Sequence, residues 1–364
     1  MSSARAQASV SIVVPTYKEA ESLPLLLERL DKLRTDAPLD LEVLIMDDNS
    51  RDGTVELIAS RALPWVRLVV RTENRGLSPA VIDGLNLARH DVVVVMDADL
   101  SHPPERIPDL LKQLENGAEF VIGSRYVAGA STDEAWGVFR WLNSKVATLM
   151  ARPFTRTSDP MSGFFAFRRT LLEKADTLNP VGYKIGLELL VKCGVRRVAE
   201  IPIHFAQRQK GESKLSFKEQ LKYIQHLRRL FIYRFPNWAH LLQFLVVGGT
   251  GVFVNLLVLT VLLQLKVPVK PAIAGAIGLS MIFNFALNRR FSFSYARGGS
   301  LLGQLVGYLG ACSLGAALNY LITLWMLSTW STLWPQAAAL VGIVAGTGVN
   351  FVFCRFLVFR NVKP

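Results

Sequence analysis

Two hydrophobic patterns divide the chain. Over its first hundred residues, short apolar runs rich in β-branched residues alternate with helical periodicity. SVSIVVPTY (9–17), LEVLIMDD (41–48), WVRLVVR (65–71) and DVVVVMDAD (91–99) are the runs, and LPLLLERLDKL (23–33) repeats its leucines at helical spacing between the first two. Apolar strands spaced by helices predict βαβ units on a buried parallel sheet. Beyond residue 240 the pattern changes to long apolar stretches, and a bilayer-spanning helix needs about 20 such residues. Leu241–Leu265 is uncharged, a second stretch runs from Pro271 to Asn288, and the uncharged span from Gly298 to Cys354 is split by the polar STWSTLWPQ at 328–336. Four membrane-spanning helices are predicted.

Charge sharpens this division. The chain has 364 residues and a formal net charge of +12, yet residues 241–364 contain no Asp or Glu. Residues 206–234 hold eight Lys or Arg against two Glu, so residues 1–205 are left near neutral. The positive charge is therefore not a nucleic-acid footprint, and no nucleic-acid partner is expected. Arg228, Arg229 and Arg234, then Arg289, Arg290 and Arg297, then Arg360 and Lys363 fall on one side of four crossings, with only Lys266 and Lys270 on the other. By the positive-inside rule that side is cytoplasmic. Cys193, Cys312 and Cys354 form no disulfide or metal framework. MSSARAQAS has no apolar core of a signal peptide, so the head is expected to stay in the cytosol.

The tail also repeats itself. A small residue precedes an Asn by four in every predicted span: Gly251/Asn255, Ser280/Asn284, Gly315/Asn319 and Gly346/Asn350. That spacing puts both on one helix face, either as packing between helices or as a pocket for a lipid headgroup. NFALNRRFSF (284–293) and NFVFCRFLVF (350–359) extend the likeness to a duplicated pair of helices.

In an open α/β sheet ligands bind beyond the carboxyl ends of the strands. Polar residues gather there: Pro15, Tyr17 and Glu19 after the first run, Asp47 and Asp48 after the second, Asp97 and Asp99 after the fourth. DDNSRDGT (47–54) alone could be a turn and helix cap, and neither GxGxxG nor GxxxxGK[ST] is present. Two carboxylates delivered by a buried strand suit Mg2+ or Mn2+ shared with a substrate diphosphate. His102 has no second His beside it and reads as a loop residue packed by Pro103 and Pro104.

VVPTYKEAESL, DDNSRDGT, ENRGLSPAVIDGL, MDADLSHPPE, GSRYVAGA and DPMSGFFAF occur in this order. Together they resemble glycosyltransferase family 2, in its polyprenyl-phosphate (dolichol-phosphate) mannose synthase branch, and the tail resembles the GtrA-like four-helix membrane domain. The resemblance implies a Rossmann-like α/β GT-A catalytic domain followed by an all-α four-helix transmembrane domain. The expected division is a flexible lead (1–9), the GT-A domain (10–205), a basic mobile segment with amphipathic interfacial helices (206–240) and the membrane domain (241–364). Implied nucleotide contacts are Pro15, Tyr17, Glu19, Asp48 and Asp97. Asp97 and Asp99 would hold the metal, with Ser101 where some relatives place a Gln ligand. Arg125, Arg140 and Ser144 match the acceptor-phosphate residues. Asp159, Ser162 and Gly163 match an acceptor-side loop, to which Glu188 belongs unless it is a buried helix acid paired with Lys184. Arg208 and Lys214 sit in a segment that closes over the diphosphate, or in a solvated charge run.

The chemistry agrees on what matters. A polyprenyl phosphate is already an anionic nucleophile, so the enzyme needs charge neutralisation, positioning and exclusion of water more than a general base. Phe217, Leu221, Ile224, Leu227 and Phe231 form a helical stripe flanked by Lys218, Lys222, Arg228 and Arg229, the pattern of a helix lying on anionic lipid. The expected reaction is inverting, metal-dependent transfer of mannose from GDP-mannose to a membrane polyprenyl phosphate. The HPPE after DADL favours mannose over a UDP-glucose donor, and Gly137 in GVFRW departs from the QxxRW of processive synthases. A lipid-linked-sugar flippase or scaffold is the alternative outside enzymes.

Overall fold

The computed structural model describes residues 8–359 apart from 38, 134–137, 176, 180, 181, 183, 207–216, 294, 295, 297 and 331–334. The chain divides into two compact units, residues 1–234 and 235–364.

The first unit runs β1 (Ala8–Thr16), α1 (Leu23–Asp36), β2 (Leu39–Asp47), α2 (Thr54–Arg61), β3 (Val66–Val70), α3 (Leu77–Leu87), β4 (Val92–Val95), α4 (Ile107–Glu115), β5 (Phe120–Ser124), β6 (Ser131–Thr132), α5 (Val138–Ala151), β7 (Phe165–Arg168), α6 (Ile185–Lys192), β8 (Val198–Pro202), β9 (His204–Phe205) and α7 (Phe217–Arg234). Seven strands form one sheet in the order β3-β2-β1-β4-β7-β5-β8. Helices cover both faces, which is why the strand sequences are continuously apolar rather than alternating. Val10, Ile12 and Val14 of β1 pack with Leu23, Leu26, Leu27 and Leu30 of α1 and with Ile107, Leu110 and Leu114 of α4. Val13 turns the other way, toward Val81 and Leu85 of α3 and Leu189 of α6. Each such buried leucine contributes about 1.5–3 kcal/mol.

The sheet is mixed, not parallel throughout as the sequence pattern predicts. β7 runs antiparallel to both β4 and β5, with Phe165 opposite Val95 and Ile122. FAFR is too short for its apolar pattern to reveal direction. The reversal has a functional consequence: the amino end of β7, and the DPMSG loop before it, reach the rim where β4 and β5 end.

One boundary and one helix face differ from expectation. β1 begins at Ala8, because Ala8 and Ser9 pair with Leu39 and Asp40; residues 1–7 of the expected flexible lead lie outside the described residues. α7 does not turn its whole apolar stripe outward. Leu227 and Leu230 are buried against Ala151, Met161, Leu187 and Val191, and the Tyr223 hydroxyl donates to Ala147 O at 2.7 Å. Helical geometry gives α7 a second apolar row at 223, 227 and 230, leaving Leu221 and Ile224 exposed at 44% and 50%. The side chains of Phe217 and Lys218 lie outside the described residues.

The second unit is all-helical: α8 (Pro236–Gln264), α9 (Val269–Leu287), α10 (Leu301–Thr329) and α11 (Pro335–Phe353). Among the described residues α8 has the length and apolarity to cross a membrane, with a mean hydropathy of 2.3 over 18 of its residues. The unit is two copies of one hairpin. A 29-residue helix is followed by a 19-residue helix in each half, and each ends in a five-residue π turn, Asn288–Ser292 and Cys354–Val358. A Cβ on Gly251 would collide with Asn284, and one on Gly315 with Asn350. Asn255 donates back to Ser280 Oγ at 3.4 Å. The small-residue and Asn pairs are thus reciprocal packing across the α8–α9 hairpin, and Gly315 meets Asn350 in the same way across α10 and α11, which supports the packing reading of the repeat; the Asn319 side chain lies outside the described residues. The equivalent Phe293 and Phe359 stack on each other with ring centroids 4.8 Å apart.

Candidate active site

The site is a rim formed by the carboxyl ends of β1, β2, β3, β4 and β5 and the amino end of β7. Its loops are tightly turned. Lys18, Asn49, Arg51, Asn74 and Leu100, in the loops after β1, β2, β3 and β4, all adopt positive φ between 46° and 63°. Non-glycine residues in that region cost of order 1–3 kcal/mol each, and such strain collects at functional sites.

At one end of the rim the β1 and β2 loops hold each other. Lys18 N–H donates to Ser50 Oγ at 2.9 Å and Ala20 N–H to Asp52 at 3.1 Å. Asp47 accepts from Ser50 N–H at 2.9 Å, which closes the turn after β2. Pro15 is half-buried within β1, opposite Met46. Tyr17 is exposed, and the Arg75 guanidinium lies 5.2 Å from its ring centroid. Glu19 accepts from the Ser22 hydroxyl at 2.8 Å at the start of α1. Asp48 is buried with both oxygens engaged: Arg71 pairs with Oδ1, and Gly76 N–H donates to Oδ2 at 2.6 Å. Arg71 also reaches Asp83 at 2.7 Å. Sequence reasoning missed Arg71, although an Arg directly after the apolar LVV run was a signal for it.

The β4 loop carries the carboxylate pair. Asp99 is buried and accepts from both the N–H and the hydroxyl of Ser101, at 3.1 and 2.6 Å. Ser101, itself buried, thus uses its hydroxyl to orient Asp99. Asp97 is 26% exposed and accepts no hydrogen bond among the described residues; His102 Nδ1 lies 3.7 Å from its Oδ2. That nitrogen accepts from Asp97 N–H at 3.1 Å, while burial pushes the imidazole pKa down despite Asp97 and Asp99. His102 is therefore a neutral, packed residue stacked on Phe164. Gly163 lies over Asp97: a Cβ there would sit 3.2 Å from Oδ2.

Beside the pair stands a buried cation cluster. Asp159 holds Arg125 in a fork, Nε to Oδ2 and Nη2 to Oδ1 at 2.7 Å each, and accepts Arg125 N–H at 3.1 Å. Burial would raise the Asp159 pKa, but the hydrogen bonds and charge of Arg125 outweigh it and hold the carboxyl below its usual range. Glu200 of β8 fixes this loop by accepting from Ser158 and Asp159 N–H at 2.8 and 3.0 Å. Ser162 is tied to β5 through Gly123 O at 2.7 Å. Lys184 donates to Met161 O at 3.2 Å. Burial and the Arg125 charge push its pKa down to about 7, against the pull of Asp159 and Asp97.

Of the two readings of Glu188, the structure shows the buried helix acid, with a different partner from Lys184. Glu188 is buried and binds Lys192 Nζ at 2.7 Å instead, one turn further along α6, because Lys184 precedes the helix and turns into the rim. Ser144 of α5 meets the Tyr126 hydroxyl at 2.6 Å. The side chain of Arg140 and the whole of Arg208 and Lys214 lie outside the described residues. Among those described, no three His, Cys, Asp or Glu side chains cluster as a complete metal site. The rim therefore offers two carboxylates, one of them unsatisfied, next to two cations held by Asp159 and Met161.

Residues 11–175 match the model of glycosyl transferase family 2, and residues 243–359 match that of the GtrA/DPMS transmembrane domain. The dolichol-phosphate mannosyltransferase of Pyrococcus furiosus is 38% identical over 361 residues, 97% of this chain and 99% of the relative. The chain belongs to glycosyltransferase family 2, in its dolichol-phosphate mannosyltransferase branch. The dolichol-phosphate mannosyltransferase of Mycosarcoma maydis is 44% identical over 236 residues, covering 62% of this chain and 80% of that one. Among solved structures, mannosyl-3-phosphoglycerate synthase from Rubrobacter xylanophilus superposes with a TM-score of 0.49 at 20% identity, over 62% of this chain and 74% of that one. The transferase joins an α/β GT-A domain to a helical membrane domain, and is a membrane protein.

Proposed function

We propose that this transferase moves mannose from GDP-mannose to a polyprenyl phosphate, with inversion, at the cytoplasmic face of a membrane its second unit crosses four times. The observation that carries the reading is the Asp97 carboxylate, mostly buried and without a hydrogen-bond donor among the described residues, beside Arg125 and Lys184. A carboxylate in that condition calls for a cation. The donor set fits a divalent metal of the Mg2+ or Mn2+ kind, which takes one or two protein carboxylates and completes its shell with substrate phosphates and water. Asp97 and Asp99 would hold it, and when bound it would neutralise the charge that develops on the leaving diphosphate.

The protein's own part is positioning. Ser101 fixes Asp99, and Gly163 keeps space open over Asp97. Arg125, clamped by Asp159, presents a desolvated guanidinium to the acceptor phosphate, with Lys184, Arg140 and Ser144 as further contacts. An acceptor phosphate oxygen bonds to the sugar's anomeric carbon as the bond from that carbon to the nucleoside diphosphate breaks; the electron pair leaves with the diphosphate. Because the nucleophile is ionised, no general base is required. Tyr17, Glu19, Pro15 and Asp48 line the nucleoside end, and Arg208 and Lys214 close over the diphosphate.

Calorimetric titration of GDP tests the metal reading. Binding to the wild type should tighten at least about tenfold with Mn2+ present, the worth of one charge-assisted contact, and Asp97→Asn should abolish that gain while retaining metal-free binding. Equal metal enhancement in the variant would overturn it.

A further inference from the structure

A pocket with charged side chains in its wall lies within the first unit, between α6 and α7. Its volume is about 290 Å3, and Glu188, Lys192, His226, Arg229 and Tyr233 line it with the apolar Leu230 and Ile232. The proposed transfer reaction uses none of them. Glu188 is 1% exposed. Its Oε1 is satisfied twice, by Lys192 Nζ at 2.7 Å and by Asn179 N–H at 2.7 Å. Its Oε2 is equally buried and has no hydrogen-bond partner among the described residues; His226 Nδ1 lies 3.7 Å away, beyond hydrogen-bond reach. A buried carboxylate oxygen without a donor is unfavourable, so the pocket favours an occupant that brings one. The space is about ten times the ~30 Å3 share of a water molecule, more than one bridging water needs.

The other wall selects a different group. Arg229, exposed and without an ion pair among the described residues, and Lys192 set two cations against the single carboxylate. A phosphate suits the cations, but a bare phosphate would be repelled by Glu188. A phosphate diester carrying an ammonium or hydroxyl two carbons away meets both walls. The surroundings indicate its source. Tyr233, 42% exposed on the same helix, lies three residues before Pro236, where the helix apolar enough to cross a membrane begins. Tyr is favoured at the headgroup level, where one end of the ring is wet. Leu221 and Ile224 on α7 are exposed as well.

We propose that the α6–α7 pocket binds the headgroup of a membrane phospholipid, with its phosphate on Arg229 and Lys192 and its terminal ammonium or hydroxyl on Glu188 Oε2. The proposal does not depend on which sugar the transferase uses.

Native mass spectrometry of the full chain, released from nanodiscs of defined lipid, tests this. The wild type should retain one phosphatidylethanolamine or phosphatidylglycerol, at least about tenfold over phosphatidylcholine, whose headgroup has no donor. Arg229→Ala alters an exposed side chain, so the fold should survive, and should lower that occupancy about tenfold. Glu188→Gln should narrow the preference over phosphatidylcholine. Soluble phosphoethanolamine at millimolar concentration should compete, and inorganic phosphate should not. Equal retention of all three lipids, unchanged occupancy in Arg229→Ala with its circular dichroism intact, or equal competition by inorganic phosphate would each overturn the proposal.

Discussion

Replacing Asp159 by Asn tests the clamp on Arg125. The wild-type carboxylate is fully buried and accepts three hydrogen bonds from one residue, two of them at 2.7 Å in a fork. Asn keeps the shape but loses the charge, and its amide presents donors to a guanidinium that is only 12% exposed. Removing one partner of a buried ion pair costs about 3–5 kcal/mol. For a unit of this size each kcal/mol shifts the midpoint by about 2–4 °C, so the first unit should melt roughly 6–20 °C lower, followed by circular dichroism in detergent at pH 7. The pH dependence has a defined sign. The folded pKa of Asp159 is depressed, so its stabilisation is complete above the unfolded value of about 3.9 and is lost as pH falls through the folded value. The gap between wild type and variant should thus be constant from pH 6 to 8 and shrink below about pH 4. A loss under about 1 kcal/mol at pH 7 would show that Arg125 is not held by this pair.

Asp99→Asn should reduce transfer at least about a hundredfold while the circular dichroism of both units stays unchanged, as initial rates with Mn2+ would show; ordinary turnover would remove Asp99 from the site. Lys184 has a folded pKa of about 7, far below its unfolded value. The penalty of burying it charged is therefore fully present below pH 7 and relieved as pH rises toward the unfolded value. Denaturation midpoints should rise over that window in the wild type and lose that rise in Lys184→Met; parallel slopes would contradict the burial of Lys184. Gly251→Ala should destabilise the second unit by driving a Cβ into Asn284, and Asn284→Ala should restore it; additive losses in the double variant would show that the two residues are not in contact.

Legibility followed the kind of signal. Apolar runs such as VVVVMDAD announce a buried strand and the side it delivers its carboxylates to, and an acid-free tail with long apolar stretches announces membrane helices. The orientation of β7 was hidden, because FAFR shows burial without direction. Partner choice was hidden as well. Arg71 and Lys184 are bound through contacts 23 residues apart, to Asp48 and to Met161, and sequence spacing ranks only local pairs. The same limit left Lys192 unnamed as the partner of Glu188 and turned Leu227 of α7 outward. The repeat in the tail was legible because each Asn and its small partner recur at fixed helical spacing; that they pack reciprocally needed the hairpin.

The central claim is transfer of one sugar to one lipid phosphate. Mass spectrometry of chloroform-extracted lipid, after incubating the full chain with polyprenyl phosphate, Mg2+ or Mn2+, and either GDP-mannose or UDP-glucose, tests it most directly. The account predicts a hexose-phosphate lipid from GDP-mannose alone. A product from UDP-glucose alone would overturn the donor assignment, and no product from either, with both substrates shown to bind, would contradict the proposed reaction.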